Sequence, residues 1–184
     1  MKSAEKLQYL LVLSEDENGR SSIHLYLPIL MNQAARYGNL DSATAINHHM
    51  MYGPPCGYAK PLELAIEHNH LSCVGYFIGF VRDREVMSAS KVAARLGRLQ
   101  ALEIIITNLD SRGLLNDNSL HGPLCMALEF YQLETFKFLI DRFDNVYGFV
   151  MTFFSGEWYF SPDAMKALIE YAYSRTLTRP DHSL

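Results

Sequence analysis

No apolar run in this sequence approaches the roughly 18 residues needed to span a bilayer, which argues against a membrane-embedded protein. Nor is there a surplus of basic charge. Sixteen Lys and Arg stand against 20 Asp and Glu, a net charge of −4, so nothing draws the chain to phosphate backbones or anionic lipid surfaces, and neither nucleic acid nor membrane is expected as a partner. The three cysteines, Cys56, Cys73 and Cys125, are odd in number and far apart, which suits a reducing, cytoplasmic setting better than a disulfide framework. A glycine-rich phosphate loop, a C-x-x-C pair and an H-E-x-x-H helix are all missing, which removes the usual nucleotide and zinc signatures.

What remains is 184 residues at 49% hydrophobic content, enough for one domain with a substantial core. Near the start, Lys2 and Lys6 precede the apolar stretch 7–13 in the manner of a secretion signal. Glu5 interrupts the basic start, and Glu15, Asp16 and Glu17 follow the apolar stretch closely, so residues 2–13 read instead as an amphipathic helix with Leu7, Leu10, Leu11 and Val12 on its apolar side.

The strongest signal is internal repetition. AARYGNLD at Ala34–Asp41 returns as AARLGRLQ at Ala93–Gln100, with looser versions in AIEHNHLS from Ala65 and ALEFYQLE from Ala127. The leading alanines, Ala34, Ala65, Ala93 and Ala127, are spaced 31, 28 and 34 residues apart, and Leu40, Leu71, Leu99 and Leu133 keep the same phase. A period of this size denotes stacked supersecondary units. Each copy reads as a short helix, a tight break and a second helix. In the third, Ser88–Leu96 forms the first helix, Gly97 tolerates positive φ at the break, and Leu99–Thr107 carries the stripe Leu99, Leu102, Ile105 and Ile106. In the fourth, the first helix is placed at Pro123–Tyr131, and Leu133, Phe136, Phe138, Leu139 and Ile140 follow at helical spacing. Pro61 and Pro123, each four residues before its alanine, suit a first helical turn.

KPLELAIEHNHL at Lys60–Leu71 and GPLCMALEFYQL at Gly122–Leu133 resemble the ankyrin-repeat pattern T-P-L-H-x-A followed by A-x-x-G-H-L, and AARYGNL and AARLGRL match its second half. The resemblance covers about residues 29–142. Asn69 and Tyr131 stand where the pattern has glycine, and no copy keeps the family's G-A-D-V-N loop. The implied fold is all-α: an α-solenoid of four to five stacked helix-turn-helix units, with residues 1–28 as an N-terminal cap, 143–174 as a C-terminal cap or fifth pair, and a polar tail over 175–184.

The last segment is rich in rings, including Phe143, Tyr147, Phe149, Phe153, Phe154, Trp158, Tyr159 and Phe160. They form either the core of an irregular cap or, if exposed, a contact for self-association. In a piece of a longer protein they would face a second domain.

Chemistry has one provocative stretch, NHHMMYGPPCGY at Asn47–Tyr58. A zinc site there would recruit Cys56, His48 or His49, and His68 or His70, while a cysteine-dependent hydrolase or transferase would use Cys56 with a neighbouring histidine. Nothing in the spacing assembles either site, and Gly53 and Gly57 serve as turn residues about Pro54 and Pro55, in a long finger between copies. The expectation is therefore a protein without cofactor or metal and without catalytic residues, with Cys56 chemistry as the alternative.

The resemblance places function on the inner side of the first helices, at the two residues after each small apolar pair. These form one row of Arg36, Glu67, Arg95 and Glu129 and a second of Tyr37, His68, Leu96 and Phe130. At helix spacings of about 8–10 Å each row would run about 30 Å. The finger residues Tyr52, Tyr58, Arg82 and Arg84 would add to it. Such a surface suits another protein as partner. Short divergent proteins of this kind are similar to those that intracellular bacteria and large viruses direct against host proteins, so the resemblance also points to an effector role.

Overall fold

The computed structural model describes residues 26–50 and 57–144, together with 146, 148–150, 162, 166, 168–171 and 174. The N-terminal helix expected over 2–13, Tyr52, Cys56, Trp158 and the tail lie outside the described residues. Every regular element among those described is helical, so the protein is all-α. In order they are α1 (Leu27–Arg36), α2 (Leu40–Met50), α3 (Ala59–Glu67), α4 (Leu71–Phe77) with a short 3₁₀ turn Ile78–Phe80, α5 (Asp83–Arg95), α6 (Leu99–Ser111), α7 (Asp117–Glu129) and α8 (Leu133–Ile140). The chain divides into two compact units, Met1–Ala89 and Ser90–Leu184, with the division inside α5.

In the first unit two helical hairpins pack like with like: α1 lies against α3, and α2 against α4. The apolar spacing explains which faces meet. Leu27, Met31, Ala34 and Ala35 are buried on α1, and Pro61, Leu62, Leu64, Ala65 and Ile66 on α3. Small residues at Ala34, Ala35 and Ala65 let the first helices approach, while Ile46, Cys73, Val74 and Phe77 fill the layer behind. In the second unit α7 packs on α8, and Leu102, Ile105, Leu109, Leu124, Leu128, Phe136, Leu139 and Ile140 are buried. Phe143 and Phe149 join that core, their ring centroids 5.3 Å apart, so the two rings of the aromatic segment that are described in full are interior.

One turn geometry recurs at all four hairpins. The carbonyl of each leading alanine accepts from the residue five places on: Asn39 to Ala34 at 2.9 Å, His70 to Ala65 at 2.8 Å, Arg98 to Ala93 at 2.9 Å and Gln132 to Ala127 at 2.7 Å. A second bond closes inside each, from Gly38 to Ala35, Asn69 to Ile66, Gly97 to Ala94 and Tyr131 to Leu128. This pair of bonds satisfies the orphan carbonyls at a helix end and requires a left-handed residue between. Gly38, Asn69, Gly97 and Tyr131 occupy it at φ of 67°, 58°, 63° and 60°. The departures from glycine at Asn69 and Tyr131 thus leave the turn unchanged. Asparagine tolerates that region well, whereas tyrosine does so at a cost of about 1–2 kcal/mol.

Side chains of the following hairpin also come close to two of these glycines. A Cβ on Gly38 would stand 2.5 Å from the His70 ring, and one on Gly97 would stand 2.1 Å from Gln132 Oε1. His70 also donates from Nε2 to the Arg36 carbonyl at 2.9 Å, which fixes its tautomer because a carbonyl only accepts.

Helix starts differ from the sequence reading. The first helix of the third copy begins at Asp83 rather than Ser88, because the Glu85 carboxylate accepts the Arg82 N–H at 2.9 Å and opens the helix five residues earlier. The first helix of the fourth begins at Asp117, not Pro123. Asn116 and Ser119 form a reciprocal capping box there, which satisfies the first free N–H groups. Pro123 therefore lies inside α7 and is buried, where its cost is offset by packing.

These turns set a stability test. Tyr131→Gly is expected to raise the unfolding free energy by about 0.5–1 kcal/mol by relieving the left-handed tyrosine. Gly97→Ala should lower it by about 1–3 kcal/mol through φ strain and displacement of Gln132. Urea titrations of the three proteins at equal m-value check both signs.

Candidate protein-binding surface

The positions expected to face a partner fall at one structural place. Arg36, Glu67, Arg95 and Glu129 are the last residues of α1, α3, α5 and α7, and Tyr37, His68, Leu96 and Phe130 follow them directly, just ahead of the left-handed turn. They crown the ends of the first helices instead of lining their flanks. Arg36, Tyr37, His68, Arg95, Glu129 and Phe130 are exposed, and Glu67 and Leu96 half-buried. Tyr37 is 74% exposed and Phe130 46%, large values for rings on a protein surface.

In the first unit α1 packs on α3. The His68 and His70 rings stack with centroids 6.2 Å apart, and His70 is held by the Arg36 carbonyl, so the end of α1 is braced from the next hairpin. In the second unit the Arg95 guanidinium carbon lies 5.9 Å from the Phe130 ring centroid. That contact runs diagonally, from the charged row of one copy to the ring row of the next, and is within range of a cation–π attraction.

The finger residues are placed differently from the sequence expectation. Tyr58 immediately precedes α3, and its ring packs 5.0 Å from Phe80 and 6.4 Å from Phe77 while its hydroxyl donates to Asn47 Oδ1. It is a half-buried strut. Arg82 stands at the start of α5 and Arg84 in its first turn, because the helix begins early. Tyr52 lies outside the described residues. Sequence reasoning passed over Lys91 and Tyr131 as contact residues. Tyr131 is 47% exposed next to Phe130, and its departure from the turn glycine was the available signal.

Metal and nucleophile chemistry find little footing among the described residues. No group of three or more His, Cys, Asp or Glu side chains is placed to hold a metal ion there, and Cys56 and the His49 side chain fall outside them. Cys73 and Cys125 are buried free thiols. Burial raises both pKa values, opposed at Cys73 by a hydrogen bond with Ser72. For Cys125 the result is about 11, with burial dominant, the Glu129 charge adding, and a backbone hydrogen bond and Lys91 opposing. His121 Nδ1 lies 3.7 Å from the Cys125 sulfur, while burial favours the protonated thiol over the thiolate that nucleophilic chemistry uses. No described helix is long and apolar enough to cross a membrane. No family model matches the chain, and no curated protein matches it.

The Cys125 thiol carries a pH signature. It stays protonated in the folded chain while its unfolded counterpart ionises near 9, so stability present below pH 9 is lost as pH rises towards about 11. The loss attributable to this group is about 2 kcal/mol. Unfolding free energies of wild type and Cys125→Ala at several pH values should converge over that interval; parallel curves would show that burial does not hold the thiol neutral.

Proposed function

We propose that the protein is a non-enzymatic binding module of four to five ankyrin-like helix pairs that holds a partner protein at the ends of its first helices. The observation that carries this reading is the recurrence of exposed rings, Tyr37 and Phe130, at one position of the repeated unit, immediately ahead of a rigid turn. A ring presented from a fixed backbone loses little conformational freedom on docking, which is why aromatic side chains anchor so many interfaces. Each unit carries one such ring with a cation and an acid at equivalent positions, Arg36 and Glu67 in the first and Arg95 and Glu129 in the second, and a polar surround of this kind excludes water from anchors. The repeated turn bonds and the like-with-like stacking of the first two hairpins support the ankyrin-like assignment.

Because both rings are largely outside the core, Tyr37→Ala combined with Phe130→Ala is expected to leave the far-UV helical signal unchanged. In quantitative affinity capture from cell lysate the double variant should lose at least about tenfold in retention of the proteins that wild type enriches. Equal retention by both proteins would move the site elsewhere.

A further inference from the structure

The chain is acidic overall, yet one helix face inverts that charge. On α5, Arg84, Ser88, Lys91 and Arg95 recur at i, i+4, i+7 and i+11 and are all exposed, so three cations form a single stripe about 16 Å long. The acids of the same helix, Asp83 and Glu85, are confined to its first turn, and Glu85 there accepts the Arg82 N–H. Among the described residues the ion pairs are Lys60–Glu63, Lys137–Glu134 and Lys166–Glu170, and Arg84, Lys91 and Arg95 are in none of these.

Two of the three cations pack against the hairpin that follows. The Lys91 stem lies over Gly122, where a Cβ would stand 2.5 Å from its Cε, and Arg95 spreads over the Phe130 ring. Glu129 is the one acid at that end of α7. A cation whose stem already packs against neighbouring surface loses less side-chain freedom on docking than one extended into solvent.

We propose that this face of α5, with Phe130 beside Arg95, docks an acidic segment of a partner protein, its carboxylates meeting Lys91 and Arg95 and an apolar side chain resting on the Phe130 ring. The proposal rests on the protein-binding reading and specifies its partner. An extended polyanion fits less well, since the net charge of −4 repels a long phosphate backbone beyond the stripe itself.

The test pans the full chain against a display library of random segments of about twelve residues, enough to span the stripe in helical or extended form. Enrichment of Asp and Glu together with Leu, Ile or Phe is expected. The best synthetic peptide should weaken at least about tenfold between about 50 and about 300 mM salt, and at least about thirtyfold with Lys91→Glu and Arg95→Glu combined, at unchanged helical signal. Peptides without acidic bias that bind the charge-reversed chain equally would overturn this proposal and leave the binding-module reading standing. Failure of any peptide to bind would overturn both. Tighter binding of the wild type to a single-stranded oligonucleotide or to phosphatidylserine vesicles than to the acidic peptide would also overturn it, in favour of a phosphate ligand.

Discussion

The hydrogen bond that each leading alanine carbonyl accepts from the amide five residues on is the constraint from which the rest of the structure follows. It ends a first helix, reverses the chain through one left-handed residue and delivers the next residue at the start of a second helix, all within six positions. Because the same bond forms at Ala34, Ala65, Ala93 and Ala127, each hairpin leaves its turn in the same way. The apolar faces then follow without further instruction: small residues remain where first helices meet, as at Ala35 and Ala65, and bulky ones such as Phe77 and Phe136 collect behind.

The same bond explains why the exposed rings sit where they do. The residue between the last helical position and the left-handed turn is exposed at Tyr37, His68 and Phe130 and half-buried at Leu96. The two rings, Tyr37 and Phe130, thus share one place relative to the turn.

Helix pairing was legible from the chain alone, because leucines and alanines kept phase and the period-3.6 stripes at Leu102, Ile105 and Ile106 and at Phe136, Leu139 and Ile140 were unbroken. Helix starts were not. Pro123 resembled a first-turn proline, yet the asparagine seven residues earlier made a stronger beginning, through a reciprocal bond that a motif restricted to Ser or Thr followed by Glu does not capture. At Asp83 the cap came from Glu85, close to a segment already read as a loop, so Arg82 and Arg84 were assigned to a finger. The diagonal meeting of Arg95 with Phe130 was illegible for a different reason: repeat alignment orders residues along rows, and the contact crosses between them.

His70 has a wider bearing. Its imidazole covers Gly38 and grips the Arg36 carbonyl, while Gln132 covers Gly97. Each of these glycines is thus matched to a particular side chain arriving from the neighbouring hairpin, imidazole in one case and carboxamide in the other. A hairpin transplanted from another position would bring the wrong cover and forfeit the bond. The copies, alike as they are in outline, have ceased to be interchangeable parts, and the chain cannot be lengthened or shuffled by simple duplication of one unit without refitting its neighbour.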